Sequence, residues 1–239
     1  MKALDPLRRL RHALSGQNRR RSFEDFCREE LIFYARYLRA GMTVLDVGAH
    51  RGELSLFFAR CVGPTGRVFA FEPAREAYAA IEHVVNANGR RNIHPRPLAV
   101  GDAEGTAILH GRSDRPTLHS FLSRAVHAQG PSVSEEVRVT TLDAFCRGEN
   151  IETVDLLKID VEGCELAALK GAEALFAAGR IRCCAFEFGE TTRDAGLCVR
   201  DFQHFFNRFN YRLRNMPPQT SMPPAGVYSI TMLIATPRT

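Results

Sequence analysis

From Thr43 onward the chain alternates short apolar runs with amphipathic stretches, and no other feature constrains its fold as strongly. TVLDVGA (43–49), RVFAFEP (67–73), IHPRPLAV (93–100), DLLKIDVE (155–162) and IRCCAFEF (181–188) read as buried strands. ELSLFFARCV (53–62), AREAYAAIEHVVNAN (74–88), ELAALKGAEALFAAG (165–179) and VRDFQHFFNRFN (199–210) read as the helices between them. Near-continuous apolar strands linked by helices require a parallel sheet covered on both faces, an α/β doubly wound architecture. The closing segments YRLRNM and VYSITMLIATP are joined by a proline-rich loop with no room for a crossover helix. They are therefore expected to form an antiparallel hairpin at the sheet edge.

Between Gly101 and Thr153 the alternation is interrupted. GTAILHG reads as a strand, SFLSRAVHAQ as a short helix or ordered loop, and VRVTTLDAFC as a strand running into a helix start. An excursion of this length in a doubly wound sheet is a candidate for substrate recognition. Upstream, Ser22 and Asp25 signal the cap of a helix carrying Phe23, Phe26, Cys27, Leu31, Tyr34, Tyr37 and Leu38 on one broad face, ended by Gly41. The expected organisation is a basic arm and helix over 1–40 followed by a single domain over 41–239.

The net charge of +5 suggests a nucleic-acid partner until it is divided along the chain. Residues 1–22 hold seven basic residues against Asp5, a net of +6, so the remainder carries −1. The body is close to neutral and offers no basic groove. Leu4, Leu7, Leu10 and Leu14 lie at helical spacing in the arm with arginines between them, a pattern able to make weak contact with an anionic membrane surface or a partner. The competing reading is a frayed terminal helix. No apolar h-region follows the arm, so a secretory signal is not expected. Val227–Ala235 is too short for a bilayer span of about 20 residues. Seven cysteines with no C-x-x-C pair point to a reduced, cytoplasmic protein.

VLDVGAHRGELS carries the strongest chemical signal: a strand ending in Asp46, a turn with Gly48 and Gly52, and a helix opening at Glu53. Ligands of open α/β folds bind at such turns, where glycine permits close approach to the backbone. The dinucleotide fingerprint requires glycine at 48, 50 and 53, but this chain has His50 and Glu53. A glutamate in the first helical turn occupies the place of a pyrophosphate, so NAD, FAD and ATP are disfavoured. A cationic nucleoside without phosphates, such as S-adenosylmethionine, suits Asp46. Glu72, 20 residues after Gly52, ends the next strand, where a carboxylate accepts both ribose hydroxyls. The alternative is a surface charge with Pro73 opening the helix.

Lys158, Asp160, Glu162 and Glu165 crowd the end of a further buried strand. Ionised groups there are expensive unless paired or functional. The structural readings are an ion pair of Lys158 with Asp160 or Glu187, and helix N-terminal charge from Glu162 and Glu165.

Taken together, D-V-G-A-x-x-G-x-x-S, F-E-P, Asn88, L-A-V, T-L-D at 141–143 and L-K-I-D-V-E-G-x-E resemble the FkbM family of S-adenosylmethionine-dependent methyltransferases. The resemblance covers residues 41–210, and K-I-D-V-E-G-x-E is its most specific part. It implies a class I methyltransferase (Rossmann-like) fold and O-methylation of hydroxyls on sugars or polyketide-type small molecules. By position, Asp46, Gly48, Ala49 and Gly52 would hold the methionine moiety with His50 between them. Glu72 and Pro73 would border the ribose, and Ala99 and Val100 the adenine. The family usually has asparagine where this chain has His50; an imidazole still donates a hydrogen bond, and cofactor affinity would then depend on pH near neutrality.

Methyl transfer from a sulfonium requires alignment of an oxygen and removal of its proton. Asp160 is the first choice as base or orienting group, Lys158 pairs with it or acidifies the hydroxyl, and Glu187 binds substrate hydroxyls. His110, His119 and His127 are further base candidates. Asp160 and Glu162 lack a third clear ligand for a divalent metal. A nucleic-acid N-methyltransferase would carry N/D-P-P-aromatic after the strand at 155–160, where this chain has D-V-E-G. N-M-P-P-Q at 215–219 follows the wrong strand and lacks the aromatic, so no nucleic acid is expected as partner. Two alternatives stay open at this point: a binding protein that kept the fold without catalysis, and a lipid or protein methyltransferase at a membrane surface.

Overall fold

The structure is a computed structural model, and it describes residues 28–112, 115–120, 132–216 and 231–238. Helix α1 (Arg28–Tyr37) precedes β1 (Thr43–Val47), α2 (Glu53–Val62), β2 (Arg67–Phe71), α3 (Arg75–Ala87) and β3 (Ile93–Arg96). Next come β4 (Ala99–Val100), β5 (Gly105–Arg112), β6 (Arg115–Ser120), β7 (Ser132–Thr140) and α4 (Leu142–Gly148). The chain continues through β8 (Leu156–Ile159), α5 (Glu165–Lys170), α6 (Glu173–Ala177), β9 (Cys184–Phe188), α7 (Glu190–Asp194) and α8 (Val199–Arg208), and closes with β10 (Tyr211–Asn215) and β11 (Thr231–Pro237).

Seven strands form the main sheet in the order β3-β2-β1-β8-β9-β11-β10. β1, β2, β3, β8 and β9 are parallel, and β11 is antiparallel to both β9 and β10. The expected doubly wound sheet and C-terminal hairpin are present, with the chain's final strand lying inside β10 rather than at the edge. The reversal at β1, where the order turns from β2 and β3 toward β8, creates the crevice in which open α/β sheets bind ligands.

Alternation along the strands separates two apolar layers. Leu45, Val47, Leu157 and Ile159 face α4, α5, α6 and α8. Val44, Val68, Leu156 and Ala185 face α1, whose Leu31, Tyr34 and Leu38 pack with Phe57 and Phe58 of α2. Tyr34 stands edge-on to Phe58 with ring centroids 4.9 Å apart. The same alternation continues to the strand ends, so Asp46, Lys158 and Glu187 share the α1 face. One layer of the core thus sets which face carries the charged groups.

Three local expectations are corrected. The run 93–100 is two strands in different sheets, because Pro97 supplies no N–H and the Leu98 N–H turns back onto the Arg96 carbonyl at 2.8 Å. The stretch 165–179 is two short helices, broken at Gly171. A Cβ at Gly171 would lie 2.0 Å from the Gly101 carbonyl oxygen, so the break lets two backbones cross. Pro73 lies outside α3, whose cap is Ala74.

The interruption between 101 and 153 contains a second sheet, ordered β4-β7-β5-β6. GTAILHG is a strand as expected, and VRVTTLDAFC is strand β7 turning into α4, with Thr141 Oγ1 accepting from the Ala144 N–H at 3.1 Å. Residues 121–131, most of the SFLSRAVHAQ segment, lie outside the described residues, as do the basic arm 1–22 and the loop 217–230.

Candidate active site

The strand ends meet at Gly48. Its φ is +80°, and the Gly48 and Ala49 N–H groups both donate to the Phe71 carbonyl, at 3.0 and 2.9 Å. The Asp160 N–H donates to the Val47 carbonyl at 2.9 Å, which draws the β8 end across the β1 turn. A Cβ at Gly48 would stand 1.8 Å from the Asp160 carbonyl oxygen. Only glycine allows β1, β2 and β8 to converge this closely.

Below the turn, Asp46 is fully buried. Its Oδ2 accepts from Ser55 Oγ of α2 at 2.5 Å, while Oδ1 has no hydrogen-bond partner among the described residues. Burial raises the Asp46 carboxyl above its ordinary range, and the Lys158 charge partly offsets that shift. A buried acceptor without a donor is uncommon enough to require explanation.

Glu72 is buried as well, contrary to its reading as a surface charge. Its Oε2 accepts from the His50 N–H at 2.8 Å and its Oε1 from the Ala74 N–H at 2.9 Å. Burial pushes the carboxyl up to about 7 despite both donors. His50 has φ +48°, a left-handed conformation that asparagine tolerates better than most residues. The turn from Gly48 to Gly52 therefore closes over Glu72. Pro73 follows it, and Ala99 and Val100 are buried on β4, Ala99 packing with Ala74, the cap of α3, and Ala77 within that helix.

At the β8 end the Lys158 to Asp160 ion pair is present, with Nζ 3.0 Å from Oδ2. Lys158 is almost wholly buried and its ammonium is held protonated: burial disfavours the charge, but Asp160, Asp46 and Glu30 overcome it. Lys158 pairs with Ala185 in register, so Glu187 stands beside Asp160 on the neighbouring strand. Burial, then the charges of Asp160 and Glu162, push the Glu187 carboxyl well above the usual range. Glu165 accepts from the Gly163 N–H at 3.0 Å and from Thr192 Oγ1 at 3.2 Å, a structural role that matches the helix-charge reading.

The structure thus brings Asp46, Gly48, Ala49, His50, Gly52, Glu72, Lys158, Asp160 and Glu187 to one end of the sheet. His110 is elsewhere, with Nδ1 3.1 Å from Ser134 Oγ on the second sheet. Nothing is described for the side chain of His119, and His127 lies outside the described residues. Asp143, part of the T-L-D segment, caps α6 through the Ala174 and Leu175 N–H groups at 2.9 and 3.0 Å. Among the described residues no group of three or more His, Cys, Asp or Glu side chains is placed to hold a metal ion, and no helix is long and apolar enough to cross a membrane.

Two residues of this neighbourhood receive no role from sequence reading, although Ser55 closes the D-V-G-A-x-x-G-x-x-S motif. Ser55 is the one small hydroxyl inside the apolar stretch LSLFFA, which is a usable signal. Glu30 sits four residues before Tyr34 on the apolar face of α1 and is buried, its Oε1 accepting from the Tyr34 hydroxyl at 3.0 Å. A glutamate at a core position of an amphipathic helix was the available sign.

The strand order with its antiparallel β11 and the convergence at Gly48 define a class I methyltransferase fold. A crystal structure described as methyltransferase FkbM from Methylobacillus flagellatus shares this fold, with a TM-score of 0.55 at 16% identity over 96% of this chain and 58% of that one. The chain belongs to the methyltransferase FkbM domain family, whose profile matches residues 46–213. It is 32% identical to 31-O-demethyl-FK506 methyltransferase FkbM of Streptomyces tacrolimicus, over 57% of this chain and 61% of that protein. It is 28% identical to 2-O-methyltransferase NoeI of Sinorhizobium fredii, over 54% of this chain and 57% of the relative. The matches span less than two thirds of either relative's length.

Proposed function

We propose that the protein transfers the methyl group of S-adenosylmethionine to a hydroxyl oxygen on a sugar or polyketide-type small molecule. The observation that carries this reading is Asp46 Oδ1, a buried acceptor with no partner among the described residues, beneath a turn that only glycine can form. It suits the ammonium of the cofactor's amino-acid end. Gly48, Ala49 and Gly52 line the same turn, His50 supplies the N–H that orients Glu72, and Glu72 retains a lone pair on each oxygen for the ribose hydroxyls. Pro73 follows Glu72 on the ribose side, and Ala99 and Val100 wall the adenine side. The names of both relatives specify an oxygen as methyl acceptor, which supports the O-methylation reading.

When bound, S-adenosylmethionine supplies an electrophilic methyl carbon on a sulfonium that departs as a neutral thioether. Asp160 takes the acceptor hydroxyl's proton as the oxygen forms its bond to carbon, and Lys158 holds that carboxylate in place at 3.0 Å. Glu187, kept neutral by burial beside Asp160, donates a hydrogen bond to a second substrate hydroxyl. We assign the reaction to the cytoplasm, where the described cysteines, none of them joined in a disulfide, remain reduced.

Wild-type protein incubated with radiolabelled S-adenosylmethionine and a panel of hydroxylated sugars and macrolides is expected to label at least one acceptor. Asp160→Asn, assayed at saturating cofactor, should lower that transfer by about 100-fold or more. Equal transfer by the two proteins would remove Asp160 from the chemistry.

The position of Glu72 predicts a pH dependence. The ribose is held by the ionised carboxylate, so affinity for S-adenosylhomocysteine should rise as pH increases through about 7. In the absence of ligand the sign reverses: the folded-state carboxyl is raised from 4.5, so its contribution to stability is present below that value and is lost as pH rises through about 7. Calorimetric affinities on either side of neutrality check the first statement, and Glu72→Gln should flatten the profile. An unchanged profile in that variant would assign the pH dependence to another group.

A further inference from the structure

Lys158 and Asp46 are register partners on adjacent strands and point to the same face, yet they do not pair. Nζ bonds Asp160 instead, and Asp46 Oδ1 is left without a donor. An ammonium this close to a buried carboxylate would ordinarily close on it. The charged groups on this face, which α1 covers, come from four elements: Asp46 at the end of β1, Asp160 at the end of β8, Glu187 at the end of β9, and Glu30 on α1, all of them acting electrostatically on Lys158. Glu30 lies 16 residues before the region matched by the family profile. It is 6% exposed, fixed by the Tyr34 hydroxyl at 3.0 Å, and Tyr34 is itself wholly buried among the α1 and α2 aromatics. α1 thereby adds a buried carboxylate, bonded by Tyr34, to the face of the sheet that carries Asp46 and Lys158.

We propose that Glu30 is a positioning residue for the cofactor's amino-acid end: with Asp160 it holds the Lys158 ammonium away from Asp46, which keeps Asp46 Oδ1 open to a ligand ammonium. Without the Glu30 charge, Lys158 closes on Asp46 and competes with the cofactor for it. Tyr34 acts one step further back, by holding the Glu30 carboxylate toward Lys158. The proposal rests on the methyltransferase reading, and its test separates the two.

The test is calorimetric titration of wild type, Glu30→Gln and Tyr34→Phe with S-adenosylhomocysteine and with methylthioadenosine, which carries the same nucleoside without the amino-acid end. Glu30→Gln should weaken S-adenosylhomocysteine on the order of ten-fold and leave methylthioadenosine unchanged. Tyr34→Phe, which keeps the charge, should give a smaller loss with the same ligand preference, and it serves as the test if Glu30→Gln does not fold. A purely structural role would lower the melting temperature and leave both affinities as they are, or weaken both together; either result overturns the proposal. Failure of folded wild type to bind either ligand would instead overturn the cofactor reading, and the proposal with it.

Discussion

Gly48→Ala is expected to lose cofactor binding altogether and to be destabilised by roughly 2–5 kcal/mol, the combined scale of left-handed backbone strain and overpacking. The residue has φ +80°, which costs any L side chain, and the added methyl would lie 1.8 Å from a backbone oxygen of Asp160. Side chains can rotate out of a collision, but this oxygen belongs to a strand end tied to Val47 at 2.9 Å. Relief therefore requires β8 to move away from β1, or the turn to leave the Phe71 carbonyl. Both movements open the space above Asp46. Denaturant unfolding and calorimetry with S-adenosylhomocysteine check the two effects separately. Retention of wild-type stability and affinity would mean that the strand ends do not converge as described.

Lys158→Met should destabilise the protein by about 3–5 kcal/mol near neutral pH, the usual cost of removing one partner from a buried set of charges. Lys158 is 3% exposed, and its ammonium lies in the field of Asp160, Asp46, Glu30 and Glu187, of which Asp46 is fully buried and Glu30 nearly so. The lysine's folded-state pKa is raised, so its stabilising contribution is complete throughout the neutral range and is lost only as pH rises through the folded value. The variant's deficit should shrink on acidification, because protonated Asp46 and Glu30 need no counter-charge; burial already raises both carboxyls. Unfolding free energies of the two proteins at neutral and mildly acidic pH provide the measurement. A deficit independent of pH would mean that lost packing of the aliphatic stem, rather than charge, dominates.

The site was largely legible because its residues belong to short local motifs at strand ends. Asp46, Gly48 and Gly52 occupy one turn, Glu72 ends the next strand, and Lys158 and Asp160 alternate on a third, so strand polarity alone carries them to the same crevice. The ion pair between Lys158 and Asp160 follows from side chains two apart on one strand face. Glu30 was legible only as a glutamate at a core position of α1; which charged groups it meets depends on where α1 lands relative to β1 and β8, and no local pattern encodes that docking.

Failures within the fold have the same origin. Gly171 interrupts helix propensity only locally, and the need for glycine there comes from the Gly101 backbone, 70 residues upstream. The split of 93–100 reflects a parallel pairing of Ala99 and Val100 with Val139 and Thr140, a register set by the second sheet. Sequence periodicity reports which residues are buried within an element and is silent on which distant backbone they meet.

The central claim is that the crevice between β1, β2 and β8 holds S-adenosylmethionine, and calorimetric titration of the purified protein with that ligand tests it most directly, with Glu72→Ala as the control. Saturable one-to-one binding by wild type, lost or strongly weakened in Glu72→Ala, is the result expected. Absence of binding by folded wild-type protein, or equal binding by the variant, would contradict it.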